Sequence, residues 1–264
     1  MTPVEAVGRA QGRLARAGAR VAGLGLTTLA TGVRLRRLGD DASTRDGARE
    51  RARMLRDVAR RVLDLHGVAV DSGGVFPLGP AVLVSNHVSW LDPIVVASQL
   101  PCVPVSKLDV ARWPVIGTIA RELGVVFVSR GDARSGARAL LAAGAALEHE
   151  LSVLNFPEGT TTDGASVLPF RPGMFGLAIR AGVPLVPLAI AYDPPSLAWV
   201  GDATFLPHYL GLAGGRGARA TVRIGAPLTA APDANAREVA REAHAQVAQL
   251  LQEIRCPRNP PSPT

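Results

Sequence analysis

From residue 81 onward the chain alternates short apolar runs with stretches of helical periodicity, and this alternation constrains the fold more than any other feature. Runs such as Ala81-Val82-Leu83-Val84-Ser85 and Leu151-Ser152-Val153-Leu154-Asn155 are too short for helices and carry no polar face, as expected of strands buried on both sides. Strands are predicted at 67–71, 81–85, 102–106, 125–129, 152–156, 184–191 and 220–225. Helices are predicted near 93–100, 112–122, 133–149 and 172–181. Ala236, Val239, Ala240, Ala243, Val247, Leu250, Leu251 and Ile254 make a final amphipathic helix. The expected fold class is α/β, a mixed sheet covered by helices. No internal repeat is visible, and the Pro-rich end, 255–264, reads as a frayed tail.

Ahead of this domain lies a basic region. Residues 1–66 hold 14 Arg against 7 Asp and Glu, so they carry the whole +7 net charge of the 264-residue chain. Such an excess attracts anionic lipid or nucleic acid. Nucleic acid is disfavoured because these residues include no Phe, Tyr or Trp on which bases would stack. A membrane surface fits better. Only 13 uncharged residues, Val21 to Val33, separate Arg20 from Arg34, which falls short of the ~20 a membrane span needs. A cleaved signal peptide is disfavoured by Arg34, Arg36 and Arg37 and by the lack of a clean small-x-small site. The expectation is an interfacial segment held by flanking Arg. Residues 42–66 then read as a helix with an apolar face (Ala48, Ala52, Leu55, Ala59, Val62, Leu65), capped by Ser43, beside a stripe of Arg49, Arg53, Arg56 and Arg60. That stripe suits a solvated surface or lipid headgroups equally. The predicted organisation is 1–66 basic and membrane-associating, 67–254 the main domain, and 255–264 tail. Cys102 and Cys256 offer no disulfide framework, which suits a reducing, cytoplasmic setting.

Candidate chemistry begins where the strand at 81–85 runs into Asn86-His87-Val88-Ser89-Trp90-Leu91-Asp92. Asp92 precedes Pro93, a pattern that places it as the N-cap of the next helix. From there its carboxylate can fold back onto His87 and fix the ring's tautomer, leaving the other nitrogen to take a proton from a hydroxyl. A structural His–Asp bond would look the same in two residues alone, so the company they keep decides.

That company is extensive. Asn86 to Asp92 is followed by Lys107, Pro114-Val115-Ile116-Gly117, Gly124-Val125-Val126-Phe127 and Arg130, then Phe156-Pro157-Glu158-Gly159-Thr160, then Val183-Pro184-Leu185-Val186-Pro187. In content and order these four blocks resemble the glycerolipid acyltransferase family, over residues 86–187 and less specifically to about 228. The resemblance implies an O-acyltransferase of the 1-acylglycerol-3-phosphate or lysophospholipid type. It assigns His87 as general base and Asp92 as its orienting carboxylate, with Lys107, Arg130, Glu158, Gly159 and Thr160 binding substrate. Acyl-CoA or acyl carrier protein is the implied donor and a lyso-lipid the acceptor, with no resident cofactor and no metal. The implied location is the cytoplasmic face of the inner membrane, peripheral or monotopic. Pro184 and Pro187 are expected at a strand edge near an apolar cleft.

One position departs from the family. Members acting on 1-acylglycerol-3-phosphate commonly carry Arg after Phe-Pro-Glu-Gly-Thr, and here Thr161 stands there, with Arg171 a candidate replacement. Thr160-Thr161-Thr162-Asp163-Gly164 is closer to branches that acylate lyso-ornithine lipid or other lysophospholipids. Phosphatidic acid synthesis, dominant in the family, remains the first expectation. A serine hydrolase built on His87 and Asp92 would need a nucleophile elbow, and no Gly-x-Ser-x-Gly occurs, although Ser85 and Ser89 lie nearby. A non-catalytic lipid-binding protein is the third reading.

Overall fold

The computed structural model describes residues 3–39, 44–113, 116–129, 131–201 and 204–256, with the side chains of 3, 4, 6 and 7 left aside. Among these, β1 (Val68–Gly73), β2 (Val82–Ser85), β3 (Cys102–Lys107), β4 (Val126–Val128), β5 (Ser152–Asn155), β6 (Leu185–Asp193) and β7 (Ala218–Ile224) form one sheet in the order β1-β7-β6-β2-β5-β3-β4. Only β6 and β7 pair antiparallel, so the sheet is mixed, as expected. The strands lie where the apolar runs place them. β2 is central, buried throughout and flanked by β5 and β6.

Strand alternation sends successive residues to opposite faces. Leu83, Leu154, Val186, Leu188 and Ile190 pack beneath α3 (Asp92–Gln99) and the C-terminal half of α2 (Arg45–His66). Val82, Val84, Val103, Val153 and Leu185 pack beneath α5 (Ala133–Glu148), α6 (Gly173–Ala181) and α8 (Ala236–Arg255). Full burial of each aliphatic side chain is worth roughly 1.5–3 kcal/mol, so both helical layers are strongly held.

Several expectations need correction. Thr44 caps α2, its hydroxyl accepting from Gly47 N at 3.0 Å, whereas Ser43 lies outside the described residues. The helix predicted near 112–122 begins only at Ile116, as α4 (Ile116–Glu122), after a separate 3-10 turn at Leu108–Arg112. Trp113 between them is extended (ψ 130°), because the ring of Pro114 disfavours helical backbone in the residue before it. β6 is an interior strand and not an edge. Pro187 is tolerated there because pairing with β7 begins only at Leu188, where no proline nitrogen is asked to donate. Neither Pro184 nor Pro187 lines the cleft; Pro104 and Pro157 do. Of the tail, 257–264 lies outside the described residues.

The basic N-terminal region is α1 (Pro3–Leu38) followed by α2. Gly23 makes their contact possible: a Cβ there would stand 2.7 Å from Leu65 Cδ1. Several of the Arg residues act as structural ties. Arg20 donates to the carbonyls of Leu65, Leu212, Ala213 and Gly215, the last three at the end of α7 (Phe205–Gly214). Arg49 bonds to His149 O and Arg60 to Ser98 O, so part of the stripe on α2 fastens it to the ends of α5 and α3. Carbonyls at helix C-termini carry partial negative charge and suit cations. No described helix is long and apolar enough to cross a membrane.

Candidate active site

β2, β3, β4, β5 and β6 run in one direction and release their chains at the same edge of the sheet, where ligands of such folds collect, while β1 and β7 run the other way. β2 ends at Ser85 and hands the chain to Asn86. The Asn86 side chain then imitates a strand: Oδ1 accepts from Ile190 N at 2.8 Å, and Nδ2 donates to Ile190 O at 2.9 Å. This extends the β2–β6 ladder by one residue and aims His87 off the sheet edge.

His87 Nδ1 and Asp92 Oδ2 are 2.7 Å apart, with Asp92 fully buried and the His87 side chain 16% exposed. Asp92 has folded back, but it is not the cap. Leu91 is the N-cap and makes no side-chain cap bond; Asp92 is the first helical residue. Its carboxylate is occupied elsewhere. Oδ2 also accepts from Val88 N (2.7 Å) and Ser89 N (2.9 Å), and Oδ1 accepts from the Tyr192 hydroxyl at 2.7 Å. All four partners donate, so the carboxylate serves here as an acceptor only. With Nδ1–H donating to Asp92, the lone pair of His87 is on Nε2, and His87 is among the residues that line the cleft. Phe156 stacks on the imidazole at 4.3 Å between ring centres.

Tyr192 was not legible as a site residue. It stands 100 positions from Asp92, and only the β2–β6 pairing brings the two together. Burial first, and the Asp92 charge second, push the Tyr192 phenol well above its ordinary value, which keeps the O–H available to donate.

The sequence-predicted residues divide into two groups. Lys107 ends β3, lines the cleft and is ion-paired with Asp109. Gly159 lines the cleft with φ +72°, and Thr161 lines it too. Glu158 does not face the cleft. It is buried, with Oε1 accepting from His87 N at 2.7 Å and Oε2 from Leu168 N at 2.8 Å, so it clamps the backbone at His87. Burial raises the Glu158 carboxyl above its ordinary value, partly offset by these two bonds. Thr160 is exposed and off the cleft wall. Arg130 lies outside the described residues, though its neighbours Ser129 and Gly131 line the cleft. Ser85 and Ser89 are fully buried and not on the wall, so neither is placed as a nucleophile for His87.

The cleft itself is a cavity of about 1060 Å³. His87, Trp90 and Trp113 line it together with Leu55 and Val62 of α2 and Leu24 of α1, so much of its wall is apolar. An imidazole on the wall of a large apolar cavity can activate a hydroxyl on a molecule whose hydrocarbon chain fills the rest. Among the described residues no group of three or more His, Cys, Asp or Glu is placed to hold a metal ion.

Comparison with known proteins agrees with this geometry. The acyltransferase family profile matches residues 68–191. A lyso-ornithine lipid O-acyltransferase of Brucella abortus is 34% identical over 221 residues, covering 73% of this chain and 79% of that protein. The chain belongs to the acyltransferase family. The lyso-ornithine lipid O-acyltransferase of Rhizobium meliloti is 35% identical, over 65% of each chain. A 1-acyl-sn-glycerol-3-phosphate acyltransferase of Neisseria meningitidis is 31% identical over 54% of this chain and 56% of its own. The crystal structure of the 1-acyl-sn-glycerophosphate (LPA) acyltransferase of Thermotoga maritima superposes with a TM-score of 0.69 at 18% identity, covering 94% of this chain and 98% of that one, a likeness of fold.

Proposed function

We propose that this acyltransferase moves a fatty acyl group from a thioester, on coenzyme A or acyl carrier protein, to the free hydroxyl of a lyso-lipid. The observation that carries the reading is the His87–Asp92 pair, its carboxylate held by three further donors, with His87 on the wall of a large, mainly apolar cavity. His87 takes the hydroxyl proton as the oxygen attacks the thioester carbonyl, and returns it to the leaving thiolate as the tetrahedral intermediate collapses. Asp92 stabilises the imidazolium between the two steps. Thioesters are already activated, so base and positioning suffice without a covalent enzyme intermediate, metal or resident cofactor. Lys107 and Arg130 are proposed at the polar end of the substrate, and Gly159 where the chain must pass close to it.

The first acceptor is 1-acylglycerol-3-phosphate, giving phosphatidic acid. Lyso-ornithine lipid is a second reading with its own support: Thr161 stands where the phosphate-handling Arg is expected, and two of the relatives are named for that acceptor.

The protein is proposed to work peripherally at the cytoplasmic face of the inner membrane. Leu14, Leu26 and Leu29 of α1 and Leu206 of α7 are each more than 60% exposed, on two helices that pack together beside basic residues. Such a surface suits an anionic bilayer. The decisive assay offers purified protein several lyso-lipids with acyl-CoA and acyl carrier protein donors and identifies products by mass. His87→Ala is expected to lower transfer by ~10²–10⁴-fold, the usual range for a lost general base. Full transfer by that variant, with liposome binding intact, would instead support a non-catalytic lipid-binding protein.

A further inference from the structure

The cavity lies on both sides of the sheet. Cys102 of β3 belongs to the core beneath α3, whereas Val103 and Val105 belong to the core beneath α5. By strand alternation Pro104 shares the face of Cys102, yet Pro104 and Val105 both line the cavity. The two helical layers contribute alike. Thr28 of α1, Leu55 of α2 and Ile119 of α4 line it on one face, and Val128 of β4, Leu140 of α5 and Met174 of α6 on the other. One continuous space therefore has an arm under α1 and α2 and an arm under α5 and α6. The arms join past the C-terminal ends of the strands, the edge at which His87 stands. Gly159 and Arg171 line it on the neighbouring turn, where the guanidinium rests on the glycine: a Cβ there would stand 2.8 Å from Arg171 Cζ.

Acyl transfer asks one base to serve two hydrocarbon chains at once, and at about 1060 Å³ the space lies above the ~300–1,000 Å³ usual for one small ligand. The outer surfaces of the two arms differ. Beside the first, α1 and α7 expose Leu26, Leu29 and Leu206, so a lipid leaving a bilayer meets this arm. Beside the second, α5 exposes Arg134 and Arg138, which suit the anionic carrier of a donor arriving from water. The second arm also contains Gly136. It lies within α5 and lines the cavity, and a Cβ added to it would meet nothing within 4 Å. Glycine is disfavoured inside a helix, and this one makes no turn or close backbone approach. What it supplies is space in the cavity.

We propose that the sheet keeps the two chains of the reaction apart. The chain of the lyso-lipid lies under α1 and α2, the acyl chain of the donor lies under α5 and α6, and Gly136 leaves the room that admits a long donor. The hydroxyl and the thioester then meet at the strand ends beside His87, each positioned by its own hydrocarbon. Donor and acceptor chain lengths are read by different residues, Gly136 in one arm and Thr28 in the other. This inference rests on the acyl-transfer reading and adds to it where each substrate lies.

The test uses the full chain as wild type, Gly136→Leu and Thr28→Phe, with octanoyl and hexadecanoyl chains varied separately on donor and acceptor. Leucine suits a helix better than glycine and enters open space here, so Gly136→Leu is expected to fold, which a thermal melt checks. It is expected to lower kcat/KM for the hexadecanoyl donor about tenfold relative to the octanoyl donor, with the order of acceptors unchanged. Thr28→Phe is expected to disfavour the long-chain acceptor to a similar degree, with the order of donors unchanged. Both variants acting on the same substrate, an exchange of their effects, or an unaltered chain preference in either overturns the proposal. Equilibrium binding of octyl and hexadecyl thioethers of coenzyme A and of acyl carrier protein, which cannot transfer their chains, keeps the two hypotheses apart. Should the wild type transfer no acyl group, weaker binding of the hexadecyl compounds alone, in Gly136→Leu and not in Thr28→Phe, still supports the two arms. Any other binding result overturns them.

Discussion

Asp92 shows how much of the candidate site hangs on one buried carboxylate. Three of its four donors, His87 Nδ1, Val88 N and Ser89 N, come from the loop that the sequence motif spans, and that much is readable from six consecutive residues. The fourth, Tyr192, comes from β6 and is not. Tyr192→Phe removes only the hydroxyl and leaves Asp92 Oδ1 buried without its partner, which typically costs ~1–3 kcal/mol. The expected result is a fall in kcat of roughly threefold to thirtyfold with KM within about twofold, because the lipid does not touch this hydroxyl. Steady-state kinetics beside a thermal melt checks it; an unaltered kcat in a folded variant would show that three donors are enough. Glu158 teaches the complementary lesson. The motif Phe156-Pro157-Glu158-Gly159-Thr160 marks the place in the chain correctly, yet the carboxylate turns away from the cleft to hold His87 N and Leu168 N, a direction that no spacing rule encodes.

The elements were legible where their residues are periodic and illegible where they are not. The seven strands and the helices over 133–148 and 236–255 follow from apolar spacing. α7, by contrast, is apolar on nearly every side and contains Pro207 and Gly211 inside it and Gly214 at its end, so it shows no amphipathic face. It is helical because it is packed between α1 and the aromatic side chains of Trp90 and Trp113. One buried link joins α7 to α2. His66, 1% exposed, bonds through Nδ1 to Val62 O at 2.8 Å and meets the Tyr209 hydroxyl through Nε2 at 3.3 Å. Burial holds the His66 imidazole below its ordinary value, with nearby Arg20 adding to the effect and the Val62 bond opposing it. As pH falls through about 6.5 the unfolded chain binds this proton before the folded one does, so folding stability drops with acidification. Melting curves between pH 7.5 and 5.5 should show a falling Tm. His66→Gln should lower the Tm at pH 7.5 and flatten that slope; an equally steep slope in the variant would assign the acid sensitivity to another group.

At the scale of the whole molecule, the sheet sets the site and the N-terminal helices close it. The C-terminal ends of β2, β3, β5 and β6 deliver His87, Lys107, Phe156 and Tyr192 to one edge, and α1 and α2 roof the cavity that begins there. The proposed membrane attachment belongs to this scale too, since it draws on exposed leucines of two helices, α1 and α7, that pack together. Leu26→Glu with Leu29→Glu is expected to reduce sedimentation with anionic vesicles several-fold without lowering the Tm, because both side chains are about two-thirds exposed and bury little on folding. Binding that is unchanged in the double variant would move the docking surface elsewhere. Local chemistry was enough to specify strands, helices, the His87–Asp92 loop and the excess of Arg, since each depends on residues a few positions apart. Packing alone settled which Arg residues tie helices together, that Glu158 faces inward, that Tyr192 completes the carboxylate and that Arg171 rests on Gly159. Each of those depends on contacts between segments far apart in the chain, and such contacts exist only after the sheet has brought the segments together.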